Sequence, residues 1–280
     1  MIIPNYFILI VLYNKTPKNS STIVSLSNID KKFKPYIKCL ICDNSKKQLD
    51  NKDMSELHYM LKNINHRYKH NNGQNKPLSK IYNDTINKLA ENEYLIIFDD
   101  DSSFDSDFFE KSSQAIIHNK EINLFLPIVY DRGKIISPAK MIWFKGHYLK
   151  SITPGMINSK NITAINSGMI INAQYLKHKF IGYDERIKFY FTDNDFMDKF
   201  TSTNKKLFIL DYKMNHTLNF YLRGENFEIK KKRFKDLRRS YLILMRRKGN
   251  FMYYVTHIYL FIYSIKFSIQ QRDIRFIFVF

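Results

Sequence analysis

"LIIFDDDSSF", residues 95–104, decides the fold. Four apolar residues run into three consecutive aspartates, and the chain then breaks into serines. A short continuous apolar run is what a strand buried on both faces looks like. In parallel α/β sheets, ligands bind beyond the carboxyl ends of the strands. Three adjacent carboxylates repel one another, so this strand end calls for a positive partner. If the chain stays extended, Asp99 and Asp101 share a face and Asp100 points away. Two carboxylates on one side can hold a hard divalent cation, and Mg2+ completes such a shell with substrate phosphates. The opposing reading is a solvated acidic turn.

Outward from this stretch, strand and helix alternate. "YFILIVLYN" (6–14) and "YIKCLICDN" (36–44) are further buried strands, with polar endings at Asn14 and Asp43. Between them "STIVSLSNI" (21–29) has helical spacing. "HRYKH" (66–70) is a weak strand, followed by a Gly/Asn-rich turn. "PLSKIYNDTINKLAEN" (77–92) is the best helix, with Pro77 suited to its first turn and Leu78, Ile81, Ile86 and Leu89 near one face. This order predicts an α/β domain with a mostly parallel central sheet flanked by helices. "INLFLPIVY" (122–130), "NSGMIIN" (166–172) and "KLFIL" (206–210) read as later strands. Residues 131–163 read as loop, and the later part of 184–205 as helix.

The chain has 280 residues and 44% hydrophobic content, enough to bury one large core with an appendage. The apolar N-terminus lacks a basic n-region and reads as a core strand rather than a signal peptide. Cys39 and Cys42 form a C-x-x-C, but on a strand they point to opposite faces. They read as reduced core thiols in a reducing compartment. The formal net charge is +19, which points to an anionic partner such as nucleic acid, anionic lipid or a phosphorylated substrate.

Six stretches occur in a telling order: "FILIVLYN", "ICDNS", "NNGQNKPLSKIYN", "LIIFDDDS", "INSGMIIN" and "IGYDERIKFYFTDNDF". Together they resemble the family 2 glycosyltransferases of the GT-A fold, in particular the rhamnosyltransferase-like branch, over roughly residues 6–220. "FDDDS" is similar to that branch's F-D-x-D-S, and "SGMIIN…IGYDE" to its S-G…I-G-x-F-D-E. The resemblance implies that Asp99 and Asp101 hold Mg2+ or Mn2+ on the diphosphate of a nucleotide sugar, with His216 beside the metal. It implies that Asn14, Asp43, Asn83, Asp99 and Asp100 bind the nucleotide sugar, Asp43 through the base or ribose. It makes Asp193 the catalytic base of an inverting transfer to a hydroxyl of a glycan or lipid-linked glycan, in surface polysaccharide biosynthesis. Thr192 stands where the family carries a glutamate, and Lys199 where an arginine often follows.

The residue types suit that chemistry. Displacing a nucleoside diphosphate needs a Lewis acid on the departing phosphates and a base within reach of the acceptor hydroxyl. "FYFTDNDF" surrounds Asp193 with aromatics, which favours a partly desolvated carboxylate. The plainer reading of Asp193 or Asp195 is a helix cap. Asp184 and Glu185 read as loop-bonding residues. Two rivals remain: a phosphatase of the haloacid dehalogenase type, whose D-x-D normally ends the first strand, and a non-catalytic basic nucleic-acid- or membrane-binding protein. No recognition motif supports nucleic acid.

The expected domain boundary separates residues 1–225 from a basic amphipathic tail, 226–280. Between Lys230 and Lys248 there are ten Lys/Arg and one acid, Asp236. An apolar, tyrosine-rich stretch follows. This composition predicts helix lying on an anionic membrane surface, in preference to a packed subdomain or a span. The expected location is cytoplasmic, peripheral on the inner face of the membrane.

Overall fold

A computed structural model describes residues 2–216 and 226–279. Strands β1 (Asn5–Leu12) and β2 (Ile37–Asp43) flank helix α1 (Ser21–Asn28), whose first turn is capped by Ser20 accepting from the Ile23 amide at 3.3 Å. Helix α2 (Asn51–Met60), strand β3 (Asn65–His70), helix α3 (Leu78–Ile86) and strand β4 (Glu93–Asp99) follow. After β4 come the two-residue strand β5 (Ser102–Ser103), helix α4 (Ser106–His118) and strand β6 (Leu124–Asp131).

The expected loop at 131–163 is instead a set of short strands: β7 (Lys134–Ser137), β8 (Ala139–Ile142), β9 (Lys145–Tyr148), β10 (Gly155–Asn158) and β11 (Ile162–Thr163). None exceeds four residues and β9 is exposed throughout, so alternation never builds to a readable pattern. The hairpin from β6 to β7 turns through Arg132 and Gly133, both at positive φ, the backbone of a tight two-residue turn. The chain continues through β12 (Met169–Asn172), α5 (Ala173–His178), α6 (Thr192–Thr203) and β13 (Lys206–His216).

The main sheet runs β10-β13-β6-β12-β4-β1-β2-β3, with β5 and β7 pairing onto β13 and β6. β3, β2, β1 and β4 are mutually parallel, β12 is antiparallel to both neighbours, and β13 runs parallel to β6. The sheet is therefore mostly parallel, as expected. It is sandwiched between two apolar layers. Tyr6, Ile8, Ile10 and Leu12 pack under α1, α2 and α4. Leu9 and Val11, on the other face, meet α3, α5 and α6. Cys39 and Cys42 fall in opposite layers, both buried and free.

Helix α3 ends at Ile86, six positions short of the expected end at 92. The apolar face continues to Leu89, but the Glu93 carboxylate accepts from the Ala90 amide at 2.7 Å and turns the chain into β4. α2 escaped the periodicity because it buries only Leu57; its start is marked by Asp50, which accepts from the Asp53 amide at 2.8 Å.

The domain boundary expected at residue 225 lies outside the described residues. Beyond it, α7 (Phe227–Arg247) and α8 (Asn250–Gln271) form a hairpin. Lys230 reaches Gln271 and Phe234 stacks on Phe267, which makes the two helices antiparallel. Tyr241, Leu244, Met245 and Leu260 pack on Ile187, Phe144 and Phe191 of the α/β body, so the tail is fastened to the body. Among the described residues, no helix is long and apolar enough to cross a membrane.

Candidate active site

The acidic stretch leaves β4 and turns. Asp99 is the last strand residue, Asp100 and Asp101 form the turn, and β5 carries the chain onto the end of β13. Hydroxyls hold this turn. Ser20 donates to the Asp100 carbonyl at 2.9 Å, and Thr22 donates to that of Asp99 while accepting from the Ser102 amide at 3.0 Å. Ser167, beside β12, accepts from the Asp99 amide at 3.4 Å and bonds the Ser102 hydroxyl. The polar N-terminus of α1 and the loop before β12 thus fix the backbone from both sides.

Pairing of β5 with β13 sets His216 opposite Ser102. Its Nδ1 lies 3.4 Å from Oδ1 of Asp101. Asp99, Asp101 and His216 each bring one ligand atom within 4.8 Å of the others. Two carboxylates and one imidazole suit a divalent cation that accepts oxygen and nitrogen donors. Burial first, then the charges of Asp101, Asp100 and Asp193, push Asp99 up to about 7. A cation here would relieve that repulsion.

Asp193 sits in the first turn of α6, below a left-handed Phe191. Its Oδ1 accepts from the Asn194 amide at 2.8 Å. Burial nevertheless pushes its carboxyl up to about 6. Its charge is felt at Asp99 and also at the buried phenols of Tyr82 and Tyr183, which burial drives well above their ordinary range. Asn166 donates to Thr192 at 3.0 Å and to the Tyr82 hydroxyl at 3.4 Å, linking the two walls of this region. Thr192, in the place of the expected glutamate, is thus a buried hydrogen-bonding partner. A cleft between α6, α7 and the three-stranded β11-β8-β9 sheet is lined by Thr163, Phe191, Asn194, Met197, Tyr241 and Lys248.

The other expected residues divide. Asp43, fully buried at the end of β2, accepts from the Ser45 amide at 2.8 Å and from the Tyr68 hydroxyl at 2.6 Å. Asn14 is exposed at positive φ, its amide donating to Ser45 at 2.7 Å. The chain does not stay extended here: Asp100 lies in the turn after β4, where it pairs with Lys15 at 2.6 Å while accepting from the Tyr13 amide. Asn83 is engaged by the loop before α6. Its side-chain amide donates to the Tyr183 carbonyl at 3.0 Å and accepts from the Tyr183 amide at 2.8 Å, so both its polar ends bind backbone. Gly182 beside it is at positive φ, and a Cβ there would lie 3.3 Å from Asn83 Oδ1.

Asp195 is buried among partners. It accepts from the Asp184 amide at 2.8 Å, from Lys199 at 3.0 Å and from Arg247. Lys199, in the place of the expected arginine, also donates to the Gly182 carbonyl. Asp184 is held well below the usual carboxylate range by Arg186 first and also by Arg247. Lys15, Tyr68, Tyr82 and Asn166 were missed by sequence reasoning. Tyr82 and Asn166 carried a signal, the one as the neighbour of Asn83 and the other within "INSGMIIN", both in stretches already noticed.

No protein-family model and no curated protein matches the sequence. Solved structures do match. TarS from S. aureus (residues 1–349) aligns with TM-score 0.57 and 16% identity over 85% of this chain and 64% of that one. GalNAc-T7, solved with UDP, GalNAc and Mn2+, aligns with TM-score 0.58 and 12% identity over 77% and 44%. The mannosyltransferase PcManGT from Pyrobaculum calidifontis, solved with GDP-Man and Mn2+, aligns with TM-score 0.59 and 10% identity over 93% and 71%. The chain therefore spans less than two thirds of the first two proteins it matches. Its fold is the α/β GT-A fold, with a helical C-terminal extension. The strand that carries the aspartates is the fourth, not the first, so the placement expected of a haloacid dehalogenase is absent.

Proposed function

We propose that the chain is an inverting glycosyltransferase. It moves a hexosyl or deoxyhexosyl group from a nucleotide-diphosphate sugar to a hydroxyl of a glycan or lipid-linked glycan, in the manner of the family 2, rhamnosyltransferase-like enzymes. The observation that carries this reading is the cluster of Asp99, Asp101 and His216 at the carboxyl end of the sheet, within electrostatic reach of the half-buried Asp193. The GT-A fold, and Mn2+ with nucleotide ligands in two of the matched structures, support it.

Asp99, Asp101 and His216 would hold Mg2+ or Mn2+, which supplies Lewis acidity at the departing diphosphate. Asp43 and Asn14 line the nucleotide side. Asp193 accepts the proton of the acceptor hydroxyl as its oxygen bonds the anomeric carbon. The bond from that carbon to the diphosphate breaks on the opposite face, and the nucleoside diphosphate leaves with the electron pair. Burial suits Asp193 to this role, because a base works best with a pKa near the working pH. The cleft lined by Asn194 and Tyr241 is where the acceptor is expected to lie, at the inner face of the membrane if it is lipid-linked. Screening a nucleotide-sugar panel for metal-dependent release of nucleoside diphosphate tests the reading. Release from one donor only with metal is expected, and no release from any donor would overturn it.

A further inference from the structure

Helix α8 divides its large apolar residues between two faces. Leu260 and Phe267 are buried against its neighbours together with the small hydroxyl residues Thr256, Ser264 and Ser268. Phe251, Tyr254, Ile258, Phe261, Ile262 and Ile269 are exposed, Ile258 at 63% and Ile262 at 59%. At 100° per residue these six positions fall within about one third of the helix circumference. They form one apolar stripe about 27 Å long at helical rise. In a helix serving only a water-soluble core, the large apolar side chains would face inward. Exposed apolar stripes of this extent mark interaction surfaces.

The charge of the same hairpin narrows the occupant. Lys232, Lys235, Arg239 and Arg246 are exposed on α7, and Lys266 is exposed on α8 itself. The chain as a whole carries +19. A second copy seated on this stripe would bring two strongly basic hairpins together, a repulsive arrangement. An anionic lipid surface complements both features, taking the apolar stripe among its acyl chains and the basic residues at its headgroups. No described helix is long and apolar enough to cross the bilayer, so the element lies along it. We infer that the Phe251–Ile269 stripe of α8 docks the protein on an anionic membrane leaflet. This deepens the reading of a lipid-linked acceptor and rests on that part of it alone; the transfer chemistry stands without it.

Co-sedimentation with vesicles tests the inference. The full chain and its Ile258→Asp/Ile262→Asp variant are mixed with vesicles of phosphatidylcholine alone or of phosphatidylcholine with phosphatidylglycerol. Both substituted positions face solvent, so circular dichroism and donor hydrolysis in solution should match the unaltered chain. The unaltered chain should pellet with the anionic vesicles, less so in high salt, and the variant should bind at least about tenfold more weakly. Three results would overturn the inference. They are no pelleting by the unaltered chain, equal pelleting by the variant, or a dimer in light scattering that the variant abolishes while vesicle binding is unchanged. No pelleting by the unaltered chain, with its donor hydrolysis intact, would sink the docking and spare the transfer reaction.

Discussion

Arg247, the last residue of α7, is paired with the fully buried carboxylate of Asp195 on α6. The same guanidinium reaches Asp184 in the preceding loop. One side chain of the C-terminal hairpin thus closes over the helix whose first turn carries Asp193. The hairpin is a structural part of the candidate site as well as a tail.

Arg247→Met should destabilise the fold by about 2 kcal/mol or more, since it leaves a buried carboxylate short of a charged partner. Arg247→Lys should recover only part of this, because a lysine cannot fork between two carboxylates. Urea denaturation of the three proteins measures both effects. Equal midpoints would show that the pair contributes nothing.

Asp193→Asn should leave nucleotide affinity intact and lower turnover by ~10²-fold or more. In the unaltered enzyme, kcat/KM should fall as the pH drops through about 6, where the Asp193 carboxyl takes up its proton. The stability sign is the reverse. The folded pKa lies above the ordinary carboxylate value, so the folded state binds the proton more tightly than the unfolded one. This contribution is present at low pH and lost as the pH rises through about 6. Thermal melts of the Asn variant should lack that loss.

Gly168→Ala should destabilise the protein by about 1–3 kcal/mol through overpacking. Gly168 is at φ +82°, and a Cβ would fall 2.8 Å from Pro127 Cγ and 3.0 Å from Met214 Cε. Its neighbour Ser167 holds the Asp99 amide, so metal affinity should weaken with stability. A variant with unchanged melting and metal titration would contradict this.

Tyr68→Phe should cost about 1–3 kcal/mol, the effect of leaving a buried acceptor, Oδ2 of Asp43, without its donor. Chemical denaturation reads the loss, and a nucleotide titration shows whether Asp43 keeps its orientation.

The long apolar strands and the polar ends they present were legible because a strand buried on both faces leaves an uninterrupted run. β1, β2 and β4 fall where those runs do. The strands between Lys134 and Thr163 were not, because two to four residues with exposed faces carry no period. The cluster of Asp99, Asp101 and His216 was legible only in part. Asp99 and Asp101 lie two positions apart in sequence, with Asp101 already in the turn after β4, but His216 reaches them through the pairing of β5 with β13, a non-local contact. Asn83 was noticed through its motif, but the bonds of its side-chain amide to the Tyr183 backbone are non-local and carry no sequence signal. The tail was read from composition as one surface helix, and the apolar residues that pack Tyr241 and Leu244 on Ile187 could not be told from those left exposed.

Titration calorimetry of UDP and GDP into the full chain, with EDTA and with Mn2+, tests the central claim most directly. The account predicts binding of at least one nucleotide that requires Mn2+ and is abolished by Asp99→Asn/Asp101→Asn, while circular dichroism of the variant stays unchanged. Equal binding in EDTA, or a double variant that binds with unaltered affinity in Mn2+, would contradict it.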